Sequence, residues 1–184
     1  MASQNNSLGY MIIEGSESVI RGAALVTDAK GFPLDFVRTE PFRADTLAKI
    51  LYGDSFGKYA KEKLILESLL DAVEITPQLW ICNDKEILTP LKNGSKTLTV
   101  LLEESPHVPL DAVGHIETTA EPEIFFIQVE PNGAPLRAEF PQNTRPDEVQ
   151  QAALFLSSAA ASMTILEPFD RLKKALHFLA TGRS

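Results

Sequence analysis

A strand–turn–strand pattern that occurs twice constrains this sequence more than any other feature. Each copy has an apolar run, an acidic residue, a Gly-x-Pro-Leu element, a return strand and the start of a helix. Without a gap, residues 22–51 and 124–153 share five identical positions. The identical pairs are Gly31/Gly133, Pro33/Pro135, Leu34/Leu136, Arg43/Arg145 and Asp45/Asp147. Because Gly and Pro also recur at turns for local reasons, the pattern indicates either an internal duplication or two ordinary hairpins that each precede a helix.

The order of apolar runs and turn signals predicts an α/β or α+β fold with a mixed, mostly antiparallel sheet flanked by helices. The two copies would form two related hairpin–helix halves of this fold if the duplication is real. Strands are expected at residues 10–13, 19–27, 34–39, 79–83, 97–102 and 124–129. Gly22 lies inside the second run, where a glycine is consistent with a β-bulge. Segment 103–121 contains prolines and several acids and is interpreted as a surface connector. It separates an N-terminal lobe, 9–105, from a C-terminal lobe, 122–184, and we expect the two lobes to pack as one compact domain.

Helical periodicity predicts where this chain packs closely. Leu47, Ile50 and Leu51 form the apolar stripe of a helix that starts near Asp45. Further along the chain, Asn93-Gly94 is expected to form a turn. A helix from about 146 to 163 lacks bulky side chains, which favours close contact with another helix or with the sheet. The last helix carries an apolar stripe at spacings of three and four. The candidate interface residues on these two helices are Ala153, Ser157, Ala160, Ala161, Phe169, Leu172, Leu176 and Leu179.

Charge, hydropathy and cysteine content limit the binding partners and the cellular compartment that we expect. The formal net charge is −8, and a field of that sign repels phosphate, so non-specific binding to nucleic acid or to an anionic membrane is not expected. No apolar run is long enough for a transmembrane helix, and the N-terminal residues show no secretory signal, so a cytoplasmic protein is expected. The lone cysteine, Cys82, excludes an intramolecular disulfide framework. Its apolar neighbours indicate a buried, inert thiol.

No catalytic motif with a recognised spacing was found. The segment 53–58 has two glycines followed by Lys58, but it has one residue too few between the glycines, and Tyr59 stands where a phosphate loop needs Ser or Thr. An interhelical turn explains those glycines. The sequence therefore predicts no cofactor and no metal. Segment 22–34 resembles the hairpin of Roadblock-type or longin-type scaffold domains, but the resemblance transfers no functional residue.

Two constellations could still carry chemistry. Asp28 and Glu130 precede the two hairpin turns, and a carboxylate pair does acid–base work when its surroundings separate the two pKa values. The simpler interpretation is that acids are common beside turns. His107, Asp111 and His115 could ligate a metal, although their spacing matches no usual site. An acidic surface loop explains them equally well.

The absence of a catalytic constellation predicts a non-catalytic binding or scaffold subunit of a larger cytoplasmic assembly, with a protein partner or a second copy of the chain. The first alternative is a small hydrolase that uses acidic residues or the loop from His107 to His115. The second alternative is a regulatory domain that binds a small ligand between its lobes. The sequence does not decide whether the chain is an enzyme, since no catalytic residue is identified.

Overall fold

The computed structural model describes residues 6–16 and 18–182, and in this part of the chain nine strands form one sheet. The order across the sheet is β3-β2-β1-β5-β6-β9-β8-β7, and β4 pairs with the beginning of β2. The strands are β1 Ser7–Gly15, β2 Val19–Asp28, β3 Pro33–Arg38, β4 Phe42–Arg43, β5 Leu79–Cys82, β6 Leu98–Glu103, β7 Ile116–Thr118, β8 Ile124–Ile127 and β9 Leu136–Glu139.

The centre of the sheet is parallel, and its outer pairs are antiparallel. Strands β1, β5 and β6 run in the same direction, whereas the pairs on either side of them alternate. All four residues of β5 are buried, because helices cover both faces of the sheet there. The carboxyl ends of the parallel strands, at Gly15, Cys82 and Glu103, therefore lie along one edge of the sheet.

Helices cover the two faces of the sheet unequally. The helical elements are α1 Thr46–Tyr52, a single 3₁₀ turn Gly53–Ser55, α2 Phe56–Tyr59, a π-helical segment Ala60–Leu66, α3 Glu67–Ala72, α4 Lys85–Ser95, α5 Pro146–Ala160 and α6 Glu167–Thr181. Helices α5 and α6 pack on one face, where Ile81 of β5 points. The π-helical segment, α3 and α4 pack on the other face, where Cys82 points. None of the helices in the described ranges is long and apolar enough to cross a membrane.

The predicted fold class is confirmed: a mixed α/β architecture with a mostly antiparallel sheet and flanking helices. Three local predictions are wrong. Asn93 and Gly94 lie inside α4, which continues until Lys96 adopts a left-handed conformation. The irregularity in β2 lies between Val26 and Thr27, away from Gly22.

The third correction concerns α1, whose apolar stripe does not face the core. Leu47, Ile50 and Leu51 are 64%, 71% and 74% exposed, and α1 has no buried residue. The helical spacing was therefore correct, but it could not reveal that this short helix lies on the outside of the molecule.

The two predicted hairpins both form, but they occupy different places in the sheet. In the first hairpin the leading strand, β2, is the inner one and β3 is at the edge. In the second hairpin the trailing strand, β9, is the inner one, because it pairs with β6. The strands of the 9–105 and 122–184 segments share one sheet through this β6–β9 pair, and the division into two lobes stays a prediction.

Candidate functional site

A cluster of charged side chains lies where the parallel strands end, on the face of the sheet that carries α4. Ligands of open α/β sheets bind outside the carboxyl ends of the strands, so this edge is the natural place to look for a site. The members come from the π-helical segment, from the start of α4, and from β6 and β9. We call this set the charged rim: Lys61, Asp84, Lys85, Glu86, Glu103, Arg137 and Glu139.

Asp84 organises the end of the rim that is nearest β5. Its Oδ1 atom accepts a hydrogen bond of 2.9 Å from the backbone N–H of Glu86 and thereby caps α4. Its Oδ2 atom lies 3.0 Å from Nζ of Lys61, and the same ammonium group also binds the Glu86 carboxylate. Lys61 therefore joins the π-helical segment to the start of α4 through two carboxylates.

The protonation of Lys61 follows from two opposing effects. Partial burial disfavours the charged ammonium, but the hydrogen bonds to Glu86 and Asp84 outweigh that cost, so the pKa of Lys61 is raised above its ordinary value. Lys61 is consequently a cation at neutral pH.

Glu139 organises the other end of the rim. Its side chain is only 9% exposed, and its two oxygens contact different cations: Nζ of Lys85 at 2.8 Å and Nη2 of Arg137 at 3.3 Å. Arg137 also contacts Glu103 at 2.9 Å. A carboxylate this buried needs such partners, because an unpaired charge would carry a large desolvation penalty.

The floor beneath the rim is apolar. Met11 of β1 and Cys82 of β5 are partners in the parallel register, and both are fully buried. Burial raises the pKa of the Cys82 thiol to about 12, so the group stays a neutral thiol. The prediction of a buried Cys82 is confirmed, and the two central strands offer no carboxylate to this face at these positions.

Two openings flank the rim. A groove of about 730 Å³ runs between the π-helical segment and α4 and is lined by three lysines, Lys58, Lys63 and Lys85, together with three glutamates. A smaller, mostly apolar pocket of about 400 Å³ has Phe42 and Phe56 in its wall and Lys61 in its lining. Apolar pockets of this size with a single charged group are typical of small-ligand sites.

The acids that the sequence suggested as a pair do not meet. Four strands, β1, β5, β6 and β9, separate β2 from β8, and at ~4.8 Å per strand spacing these two strands are roughly 24 Å apart. Asp28 lies at the amino end of β1, whereas Glu130 follows β8 at the opposite edge of the sheet. Asp28 instead accepts hydrogen bonds from the backbone N–H groups of Lys30 and Phe32, which is a turn-forming role.

The histidine loop is not a metal site either. Nε2 of His107 lies 3.3 Å from Glu117, and its ring lies 4.4 Å from the ring of Phe126. Nδ1 of His115 lies 4.0 Å from Asp111, whose side chain is 97% exposed. Each histidine therefore has its own carboxylate partner on the surface, as expected for an acidic surface loop.

Half of the candidate interface residues belong to the chain's own core. Ala153, Phe169, Leu172 and Leu176 are buried against the sheet, so these four are not surface residues. Ser157 and Ala160 are partly buried, while Ala161 and Leu179 are exposed. The small side chains of α5 therefore serve close packing within the chain, and an interface role for the remaining four residues is an untested prediction.

The charged rim was missed by sequence reasoning. A signal was present, because Asn83-Asp84-Lys85 follows a buried strand directly and an aspartate there can cap the next helix. The partners of Asp84 and Lys85 are 23 residues earlier in the chain, at Lys61, and 54 residues later, at Glu139. Such distances along the chain leave no periodic signal.

No family model matches this sequence, and no curated protein matches it either. Solved structures do match the fold. Endonuclease V from Bacillus subtilis is 14% identical, with 96% of this chain and 81% of that chain covered at a TM-score of 0.60. Endonuclease V from Streptomyces avermitilis is 12% identical, with 96% and 84% covered at 0.64. Human endonuclease V is 10% identical, with 98% and 87% covered at 0.64.

A further match is an endonuclease V from Ciona intestinalis in complex with a 24mer DNA that contains an inosine followed by a ribo-adenosine. It is 12% identical, with 82% of this chain and 77% of that chain covered at a TM-score of 0.51. At these identities the comparisons establish the fold, which is that of endonuclease V.

Two predictions are corrected by these matches. The structural neighbours are endonucleases, and one of them holds DNA. These matches contradict the expectation of a non-catalytic scaffold subunit and the expectation that direct non-specific contact with nucleic acid is unlikely. Both rested on global features, the missing catalytic motifs and the net charge, which do not describe a local surface. The hydrolase alternative named a reaction class that includes endonucleases, but the acids and histidines assigned to it do not come together.

The residues of the rim do not fit a metal-dependent nuclease centre. Many nucleases clamp the reacting phosphate between metal ions that are held by carboxylates. Across residues 6–16 and 18–182, no group of three or more His, Cys, Asp or Glu side chains is arranged to hold a metal ion. The four carboxylates of the rim contact Lys61, Lys85 and Arg137 instead.

Proposed function

We propose that this chain binds nucleic acid in the groove beside the charged rim, with inosine-containing strands as its first candidate ligands. The observation that carries the proposal is the endonuclease V fold, which extends over nearly the whole chain. The inosine-containing DNA belongs to the Ciona neighbour, and its transfer to this chain is part of the proposal.

The groove supplies groups that suit a phosphate backbone. Lys58 and Lys85 have side chains that are 77% and 73% exposed, so their ammonium groups can exchange a carboxylate partner for a phosphate. The Lys58–Glu62 contact is long, at 3.9 Å, and exchanging it costs little. Glu139 keeps Arg137 as a partner when Lys85 turns to a phosphate. Lysine binds phosphate as a compact point charge, which fits recognition that is independent of sequence.

The apolar pocket supplies a second kind of contact. Phe42 and Phe56 line it next to Lys61. Aromatic side chains stack on nucleobases, with about 1–3 kcal/mol for each stacked base. Because the whole chain carries a net charge of −8, we expect that few phosphates are contacted and that contacts to the bases dominate binding.

The test is fluorescence anisotropy with a labelled single strand that contains one inosine and a matched strand that contains adenosine. We expect tighter binding of the inosine strand and a shallow dependence of log Kd on log salt, since few phosphates are neutralised. Lys58→Glu/Lys63→Glu should weaken binding of both strands, and it leaves the nearly buried Glu139 with both of its cations. The matched control is Lys173→Glu/Lys174→Glu, which makes the same change of charge on exposed residues of α6, on the other face of the sheet.

Equal weakening by both double variants would assign the effect to net charge and would contradict a site in the groove. Denaturing gels of the same samples record strand cleavage directly, and a cut strand would extend the proposal from binding to hydrolysis. We also propose a cytoplasmic location, in which the single thiol of Cys82 would stay reduced. Cell fractionation checks the location independently.

A further inference from the structure

The rim holds an ammonium group between two carboxylates. Nζ of Lys61 is 3.0 Å from Oδ2 of Asp84 and is also hydrogen-bonded to the carboxylate of Glu86. The side chains of Lys61 and Asp84 are each 26% exposed, so solvent screens this contact only in part. In metal-dependent phosphodiester chemistry, a divalent ion supplies the positive charge next to such carboxylates.

We propose that Lys61 takes the place of a bound divalent metal ion, so that the charged rim is closed to Mg²⁺ and Mn²⁺ while this ammonium group is present. The positive charge at this edge of the sheet then belongs to the chain itself. Removing Lys61 should leave Asp84 and Glu86 as two unpaired carboxylates, and a hard divalent cation binds through one or two carboxylates and water.

The surroundings of Lys61 support the proposal that its ammonium group takes the place of a metal ion. Oδ1 of Asp84 is already used to cap α4, and both oxygens of Glu139 are taken by Lys85 and Arg137. The floor of the rim consists of Met11 and a neutral Cys82 thiol, neither of which is a ligand that Mg²⁺ prefers. A divalent ion would therefore have to displace a cation of the chain to reach Oδ2 of Asp84 or either oxygen of Glu139.

Lys61 keeps its charge under ordinary conditions. Although burial alone would lower its pKa, the hydrogen bonds from its ammonium group to Glu86 and Asp84 raise it overall. A metal-like role needs a permanent charge, and the two carboxylates maintain it.

The test uses the full chain without nucleic acid, so its outcome does not depend on the proposed function. Electron paramagnetic resonance measures free Mn²⁺ during a titration, and broadening of the NMR amide signals of residues 84–86 shows where the ion binds. We expect no broadening there in the wild type. Lys61→Met should bind one Mn²⁺ at these residues with a Kd on the order of 10⁻³ M. Lys61→Met/Asp84→Asn should lose that binding.

Lys63→Met is the matched control, because it removes another Lys–Glu ion pair from the same π-helical segment. It should gain no Mn²⁺ site at residues 84–86. Circular dichroism establishes that each variant is folded, and Lys61→Gln replaces Lys61→Met if the latter does not fold. Broadening at residues 84–86 in the wild type at the Mn²⁺ concentrations that fill the site of Lys61→Met would overturn the proposal, and so would a folded Lys61 variant that gains no site.

Discussion

A Cβ atom placed on Gly22 would lie 2.5 Å from Cγ2 of Ile65 and 2.9 Å from Cδ1 of Leu69. Because Gly22 has no side chain, the π-helical segment and α3 can pack close to β2 at this position. The same π-helical segment carries Lys61, so this close approach helps to place the ammonium group beside Asp84.

We expect Gly22→Ala to destabilise the fold by about 1–3 kcal/mol, because overpacking forces Ile65 and Leu69 to move. Chemical denaturation measures the change. Gly57→Ala is the matched control: a Cβ atom at Gly57 meets nothing within 4 Å. In a helix that substitution should stabilise by up to about 1 kcal/mol. Equal effects of the two substitutions would show that Gly22 is not a packing contact.

Cys82 should be inert in the native protein. Its side chain is fully buried and its pKa is raised to about 12 from an ordinary value of 9.0, so a bulky thiol reagent should label it only after unfolding. Because the folded pKa is the higher one, the thiol contributes stability that is present below about pH 9 and is lost as the pH rises further. Cys82→Ala should remove this alkaline dependence and cost about 1 kcal/mol of packing. Rapid labelling of the folded chain would contradict the prediction.

Glu148 should contribute stability that disappears in acid. Its carboxylate accepts a hydrogen bond from the backbone N–H of Arg145 at 2.9 Å and one from Lys92 at 3.2 Å, and these contacts lower its pKa from the ordinary 4.5. Since the folded pKa is the lower one, the contribution is present above the unfolded pKa and is lost as the pH falls through the folded pKa.

Glu148→Gln should therefore reduce stability at pH 7 by about 1 kcal/mol, and the difference should close as the pH falls below the ordinary pKa of 4.5. Denaturation at a series of pH values checks this. Asp147→Asn is the control, because Asp147 lies in the same helical turn with a side chain that is 71% exposed. A difference between wild type and Glu148→Gln that persists unchanged in acid would exclude the carboxylate as its cause.

The small residues of α5 should be intolerant of added volume. Ala153 is 2% exposed and packs in the core beneath α5, so Ala153→Leu should cost about 1–3 kcal/mol. Leu154, its neighbour, is 68% exposed, and Leu154→Ala should change stability by less than about 0.5 kcal/mol. Thermal unfolding compares the two variants. Unchanged stability of Ala153→Leu would show that this face of α5 is free.

Local patterns were enough to predict most of the strands and the fold class. The apolar runs that became β1, β2, β5 and β6 stand out because a covered strand needs apolar side chains on both faces. The same local patterns misplaced the stripe of Leu47, Ile50 and Leu51, because helical spacing reports an apolar face but not what that face meets.

The sequence by itself determined most of the strands and the two hairpin turns, since those depend on neighbours a few residues away. It did not determine where α4 ends, because Asn93-Gly94 lies inside that helix. It also determined that Cys82 is buried, because an apolar strand carries it. Only the tertiary structure decided which strands are neighbours, and that order separates Asp28 from Glu130 and brings Lys61 to Asp84. Electrostatic contacts of this kind depend on distances in space between residues that are far apart in the chain, and no local pattern encodes them.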